Sequence, residues 1–262
     1  MEKVTAIIPA GNEAHQIADA VRSLLWADEV LVVVDAASTD GTAAAARAVP
    51  DPKVRVVVHE YRSPAAQKNW AIPRSNHPWV FLLDADERPT PELVAEVRAL
   101  LAEGPRADAY WIRRRNIYFG RTMRWGGLAR DRVVRLIRNT CRYREVQVHE
   151  EISLAGLRVG EVKGAYLLHD TVRDWEQYQR KNDLYARWGA EQLHREGARA
   201  GLGSILLRPL HRFLKQYLFR LGFLDGVPGA LVAGVAAYGV FLKYARLWSL
   251  CHGWPPEKRP SP

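Results

Sequence analysis

Trp79-Val80-Phe81-Leu82-Leu83-Asp84-Ala85-Asp86-Glu87 is a continuous apolar run that delivers two aspartates two residues apart. A run of that kind suits a strand buried on both faces of a parallel sheet, and ligand sites in open α/β sheets lie beyond the carboxyl ends of such strands. The stretch therefore predicts a strand with Asp84 and Asp86 at the edge of a cleft. Mg²⁺ and Mn²⁺ prefer oxygen ligands and keep positions for water or substrate phosphates, so one or two carboxylates suffice where a diphosphate completes the shell. Taken alone, Asp-x-Asp also describes a solvated turn before a helix.

The flanking sequence favours the strand. Val4-Thr5-Ala6-Ile7-Ile8-Pro9 is a β-branched run, and Ile17, Val21, Leu24 and Leu25 then recur at helical spacing. The unit repeats in Glu29-Val30-Leu31-Val32-Val33-Val34-Asp35, a second buried-type strand ending in a carboxylate, followed by an alanine-rich helix from Asp40-Gly41-Thr42 through Val49. Val54 to Val58 reads as a third strand and Ala65 to Ile72 as a short helix. After the Asp84 strand, Thr90 as N-cap and Pro91 at the first helical position open a helix that ends near Gly104. Strands alternating with helices predict an α/β fold with a mostly parallel, doubly wound sheet.

The 262 residues suffice for a sizeable core, and the net charge of +9 is unevenly spread. Residues 1–110 carry 11 Lys+Arg against 16 Asp+Glu, whereas residues 111–262 carry 27 against 13. A basic half implies an anionic counterpart: a diphosphate donor, a lipid head group or nucleic acid. No helix-turn-helix, zinc-finger spacing or ribonucleoprotein motif accompanies the arginines, so no nucleic-acid partner is expected. Cys141 and Cys251 lack the spacing of a zinc site or redox motif, and a strand begins within four residues of Met1 without secretory-signal character. A cytoplasmic catalytic part is expected.

Pro9-Ala10-Gly11-Asn12-Glu13, Val34-Asp35-Ala36-Ala37-Ser38-Thr39-Asp40-Gly41-Thr42, Gln67-Lys68-Asn69 and Leu83-Asp84-Ala85-Asp86-Glu87, in that order, resemble family 2 of the inverting nucleotide-sugar glycosyltransferases. Val148-His149-Glu150, Leu168-His169-Asp170 and Gly222-Phe223-Leu224-Asp225-Gly226 narrow the likeness to the bacterial subgroup that includes lipopolysaccharide inner-core β-1,4-glucosyltransferases. The resemblance covers roughly residues 4–245 and implies a GT-A fold, a Rossmann-like nucleotide-binding half followed by a variable acceptor half. It implies that Pro9, Asn12 and Glu13 flank the nucleotide and that Asp35 hydrogen-bonds the base, uracil in a UDP donor. It places Lys68 near the diphosphate and gives the metal, Mn²⁺ or Mg²⁺, to Asp86 with help from Asp84. Ala36-Ala37, where the family more often shows Ser-Gly, and Ala10-Gly11 depart from the pattern and leave base and donor identity open.

Inverting transfer needs a base for the acceptor hydroxyl, and a positioned carboxylate supplies about 10²- to 10⁴-fold. Glu150 matches the family's His-Glu position and follows a strand-like alternation from Arg144, with Glu151 pointing the other way if the backbone is extended. His149 and His169 invite a metal reading. For His169 two roles stay open, ligation of the metal or a hydrogen bond to the diphosphate. Arg132 and Arg135 either grip phosphate through a planar fork or decorate the wet face of a strand. Trp125, beside Gly126-Gly127, either stacks on a sugar ring or anchors its loop as a buried indole.

After Asp170-Thr171, a plausible cap, Trp175, Tyr178, Asn182, Tyr185, Trp188 and Gln192 predict one helix to about Gly197 with its aromatics on the core. From Ile205 to Leu224 basic residues punctuate Leu, Phe and Tyr, as in a helix lying in an anionic membrane surface. Val227 to Leu242 is sixteen uncharged residues, short of the roughly 20 that span a bilayer. Monotopic association is expected, with an oligomer interface between copies of this chain as a homo-oligomer, or a buried core helix, as the other readings.

The sequence thus predicts a GT-A domain over 1–170, a helical, membrane-associated region over 171–254 and a disordered tail over 255–262. The expected function is inverting sugar transfer from a nucleotide-sugar donor to a lipid-linked or envelope glycan, on the inner face of the plasma membrane. A sugar nucleotidyltransferase is the rival enzyme, but it should show a glycine- and arginine-rich loop after the first strand, which Pro9 to Glu13 does not supply. A non-catalytic envelope scaffold is the non-enzymatic rival.

Overall fold

The computed structural model describes residues 2–144, 152–172 and 174–254. They form two compact units, Met1–Arg115 with Arg130–His169, and Asn116–Ala129 with Asp170–Pro262.

The first unit is built on strands β1 (Val4–Ala10), β2 (Glu29–Asp35), β3 (Val54–His59) and β4 (Trp79–Leu82), interleaved with helices α1 (Ile17–Arg22), α2 (Thr42–Arg47) and α3 (Pro64–Ala71). These four strands are mutually parallel in the order β3-β2-β1-β4. Their unbroken apolar runs are explained by core on both faces. Ala6, Ile8, Val30, Val32, Trp79 and Phe81 enter one cluster with Ile17 and Val21 of α1 and with Leu93 and Val97 of helix α4 (Pro91–Glu103). Their neighbours Ile7, Leu31, Val33, Val80 and Leu82 enter the other, with Ala65 and Ala71 of α3. Alternate side chains point to opposite faces, so only a strand covered twice is apolar at every position.

Caps fix where the helices begin. Ser63 Oγ accepts from the Ala66 N–H at 3.1 Å and Thr90 Oγ1 from the Leu93 N–H at 3.3 Å, each with proline as the first helical residue. At the amino ends of the strands the buried Glu29 ties three elements, accepting from Thr5 Oγ1 at 2.7 Å, from Arg55 and from Asn76. Burial works against its charge, yet hydrogen bonds from Asn76, Thr5 and Arg55 hold its carboxyl below the usual range.

Beyond β4 the sheet turns antiparallel. It continues through β8 (Arg132–Arg138), β6 (Ala109–Tyr118) and β9 (Val159–Val172) to the short β5 (Glu87–Pro89), and β7 (Arg121–Thr122) pairs with β6. Only β7 and a 3₁₀ turn at Leu128–Arg130 lie between β6 and β8, which pair antiparallel without a crossover helix. The sheet is thus of mixed direction, its first four strands Rossmann-like and flanked by helices.

In the second unit, helix α5 (Trp175–Arg195) is followed by α6 (Leu202–Leu214) and α7 (Val227–Cys251), the last two joined by a π-helical turn at Lys215–Phe219 and a 3₁₀ turn at Gly222–Asp225. Two expectations are corrected here. Asp170 and Thr171 lie within β9, and α5 is capped instead by Asp174, whose carboxylate accepts from the Gln177 N–H at 2.6 Å. The aromatics of α5 are not gathered on the core: Trp175, Tyr185 and Trp188 are exposed.

Candidate active site

The carboxyl edge of β1, β2 and β4 carries most of the residues singled out in the sequence. At the end of β1, Asn12 adopts a positive φ of 57° and is laced to the loop after β2: its N–H donates to Ser38 Oγ at 3.1 Å and its Oδ1 accepts from the Thr39 N–H at 2.9 Å. Asp35 terminates β2 and accepts from the Ala37 N–H at 2.9 Å. A Cβ at Gly11 would meet Asp35 Cβ at 3.3 Å, so glycine keeps the space beside that carboxylate open. Pro9, in β1, is partly exposed, and Glu13 donates its N–H to Thr42 Oγ1 at 2.8 Å. Asp40 clamps this loop pair from the exposed side, accepting from the N–H groups of Ala14 and Thr42, while Gly41, at a φ of 84°, is the N-cap of α2.

At the end of β4 the charges are arranged in two groups. In the first, Asp84 Oδ1 lies 3.3 Å from Lys68 Nζ, while Oδ2 accepts from Arg135. Lys68 and Arg135 are each only 3% exposed. Burial opposes ionisation of Asp84, but the Arg135 and Lys68 charges override it and hold the carboxyl far below the usual carboxylate range. Burial likewise opposes the Arg135 charge, and Asp84 and Glu87 hold its pKa above the ordinary arginine value. The wet-face reading of Arg135 is therefore corrected, whereas Arg132 is exposed and lies 4.8 Å from the centroid of the Trp111 ring.

Glu87 is the member of this group that the sequence did not point out. It is fully buried, at 0% exposure, and its Oε1 accepts from Arg135 at 2.7 Å and from Arg114 at 3.3 Å, while Oε2 accepts from the Asp84 N–H at 3.2 Å. One carboxylate thus fixes both the guanidinium behind Asp84 and the backbone that presents it. The available signal was its position directly after the aspartates, in a strand too short to show a period.

The second group is Asp86 with His169, brought together because β5 pairs with β9 in a register that sets Glu87 opposite His169. Asp86 Oδ2 is 3.4 Å from His169 Nε2, and both side chains are partly exposed. One carboxylate oxygen and one imidazole nitrogen are a donor set that suits Mn²⁺. Among the described residues no three His, Cys, Asp or Glu side chains form a metal-sized cluster.

Every side chain of Gln67-Lys68-Asn69 has work in this unit. Gln67 Oε1 is 2.8 Å from His59 Nδ1, Lys68 meets Asp84, and Asn69 exchanges two hydrogen bonds with the Tyr143 backbone, at 2.9 and 2.8 Å. The Tyr143 ring lies 5.3 Å from Lys68 Nζ, and Tyr143 bridges to Ile152. Glu150, with His149 and Glu151, lies outside the described residues, between those two bridge partners in sequence.

In the second unit, Asp225 of Gly222-Phe223-Leu224-Asp225-Gly226 accepts from the N–H groups of Arg124 at 3.1 Å and Trp125 at 2.9 Å. Gly126 and Gly127 follow at φ 67° and 82°, a left-handed turn that side chains resist. The loop is held through its backbone and Trp125 stays 40% exposed, so the buried-indole alternative is set aside. Asp225→Ala is expected to raise amide hydrogen exchange at Arg124–Gly126, with a local loss of about 1–3 kcal/mol for two charge-assisted bonds, most of the fold remaining protected. Unchanged exchange there would show that the loop is held by something else.

A parallel β3-β2-β1-β4 sheet with carboxylates at its carboxyl edge, extended by antiparallel strands, is the GT-A architecture. The chain belongs to glycosyl transferase family 2, whose model matches residues 5–155. It is 30% identical to the lipopolysaccharide core biosynthesis glycosyltransferase LpsC of Rhizobium meliloti (strain 1021), over 92% of this chain and 93% of that one. Among solved structures it is similar to the mannosyltransferase PcManGT from Pyrobaculum calidifontis in complex with GDP-Man and Mn²⁺, with TM-score 0.52, 18% identity and 97% and 87% of the two chains covered. Residues 1–349 of S. aureus TarS in complex with UDP-GlcNAc give TM-score 0.50 and 16% identity over 96% and 92%.

Proposed function

We propose that this chain transfers a sugar with inversion from a UDP-linked donor to a hydroxyl of a lipid-linked or cell-envelope glycan, at the cytoplasmic face of the membrane. The observation that carries the reading is the division of labour at the end of β4: Asp84 is neutralised by Lys68 and Arg135, and Asp86 stands with His169. In this reading Pro9, Asn12, Glu13 and Asp35 receive the nucleoside, Lys68 faces the diphosphate, and Arg135 positions Asp84. Asp86 and His169 hold Mn²⁺ or Mg²⁺, which when bound would offset the negative charge growing on the departing diphosphate. Glu150 takes the proton of the acceptor hydroxyl as its oxygen attacks the anomeric carbon and the nucleoside diphosphate leaves. What supports Glu150 is that the bridge partners flanking it in sequence include Tyr143, whose ring adjoins Lys68. The similarity to LpsC supports an envelope glycan acceptor. UDP-GlcNAc on TarS and GDP-Man on PcManGT define the donors to compare first.

The test is a panel of UDP- and GDP-sugars with Mn²⁺ or Mg²⁺, following release of nucleoside diphosphate and then transfer into membrane extracts. Turnover of a UDP-sugar with an inverted product is expected, and Glu150→Gln should slow it about 10²-fold while nucleotide binding persists. No turnover across the panel would favour the scaffold, and turnover of GDP-sugars alone would overturn the UDP assignment.

A further inference from the structure

Helix α6 buries none of its residues and leaves its leucines outward. Leu202, Leu206 and Leu210 recur every four residues and so share one face, with Leu207 beside them, and they are 77%, 61%, 53% and 65% exposed respectively. Arg208, on the other side, is exposed as well, and its guanidinium donates to Tyr244 Oη of α7 at 2.7 Å. An amphipathic helix of a soluble protein ordinarily buries its leucines. Phe219, the last residue of the π-helical turn, and Val227, the first of α7, are 77% and 72% exposed as well. Throughout residues 197–224 the only Asp/Glu/Lys/Arg side chains are Arg199, Arg208, Arg212, Lys215 and Arg220, five cations without an acid.

We infer that this face of α6, together with Phe219 and Val227, is a membrane-docking surface that inserts its leucines among the acyl chains of an anionic leaflet while the basic residues meet the head groups. The inference rests on, and deepens, the proposal of a membrane-borne acceptor. Charge complementarity selects the bilayer as occupant, since a second copy docking on the same face would bring an identical set of cations against the first. Apolar insertion and basic residues together supply the two signals that stable surface anchoring requires.

The same packing makes the attachment monotopic. Residues 222–251 are long and apolar enough, by length and composition, to cross a bilayer. Yet α7 lies directly against α5, a helix rich in charged residues: a Cβ at Gly239 would meet Asn182 Oδ1 at 2.2 Å, one at Gly189 would meet Lys243 at 2.8 Å, and Arg246 pairs with Asp183 at 2.6 Å. Spanning would either carry those charges into hydrocarbon or strip α5 from α7.

The test uses the full chain with vesicles of phosphatidylcholine alone and of equal parts phosphatidylcholine and phosphatidylglycerol. Cosedimentation with the mixed vesicles, weakened by salt, is expected. The double variant Leu206→Glu/Leu210→Glu, exposed positions whose change should leave the circular dichroism intact, should lose roughly tenfold or more in partitioning. Membranes from expressing cells should release the protein into alkaline carbonate. The inference is overturned if wild type stays in the supernatant, if the double variant binds as well as wild type, if the protein is a dimer that these substitutions dissociate, or if it resists carbonate. Sugar transfer by both proteins into detergent-solubilised membrane extract is measured in parallel: its absence would remove the catalytic proposal without touching the docking surface, and its presence with failed vesicle binding would do the reverse.

Discussion

Asp86→Asn is expected to lower kcat/KM for sugar transfer by about 10³-fold, some 4 kcal/mol of transition-state stabilisation. The two aspartates at the end of β4 are equivalent in sequence spacing but not in surroundings. Both oxygens of Asp84 face fixed cations, Lys68 and Arg135, so a divalent ion approaching Asp84 would meet two positive charges already in place. Asp86 instead faces the His169 imidazole across 3.4 Å, at a position still partly open to solvent. Asparagine keeps the volume and one carbonyl oxygen but removes the charge, so the loss should appear in metal affinity as well as in rate. Titration calorimetry with Mn²⁺ in the presence of UDP should show binding weakened about tenfold or more, in line with the loss of a charged ligand. Because the side chain is partly exposed and at a strand end, the melting temperature should change little. Retained transfer and retained Mn²⁺ binding in this variant would remove Asp86 from the site.

What could be read in advance followed from local physics. The parallel strands announced themselves because burial on both faces leaves no polar alternation to decipher, and Thr90-Pro91 marked a helix start because cap and first-turn preferences are local. What could not be read depends on partners distant in sequence. Arg135 looks like any basic residue on a strand, and only the arrival of Asp84 and Glu87 from some fifty positions upstream makes its burial tolerable. Asp170 and Thr171 resemble a cap, but the pairing of β9 carries the chain on in extended form to Val172 before Asp174 takes that role. Asp225 sits in a recognisable motif, yet its use as acceptor for two backbone N–H groups of a loop about a hundred positions earlier has no sequence signature. The direction of α6 is a similar case: the mixture of leucine and arginine revealed an amphipathic helix, and only the packing of Ile205 against the cluster of Ala190, Ala200, Tyr244 and Leu247 tells which side faces protein.

Glu87→Ala is expected to destabilise the sheet unit by about 3–5 kcal/mol, the usual cost of removing one partner from a buried ion pair. The carboxylate accepts from Arg135, Arg114 and the Asp84 N–H, and all three donors lose a partner at once. Arg135 is the costly one: its side chain is 4% exposed, and its Nε already has no hydrogen-bond partner among the described residues, so after the substitution Asp84 alone balances a guanidinium cut off from water. Thermal and urea unfolding should report the loss as a fall in midpoint on the order of 10 °C. Glu87→Gln, which keeps an acceptor but not the charge, should lie between wild type and alanine. The pH dependence has a definite sign. The folded pKa of Asp84 is depressed, so its stabilising share is fully present above the ordinary carboxylate range and is lost only as pH falls through the lowered folded value. The wild-type cluster should therefore hold into acid where solvent-exposed carboxylates have already protonated, and the alanine variant should unfold earlier on the same descent. A midpoint for Glu87→Ala within about 1 °C of wild type, well below the shift a single kcal/mol produces, would mean that water reaches Arg135 and that Asp84 is positioned by its backbone alone.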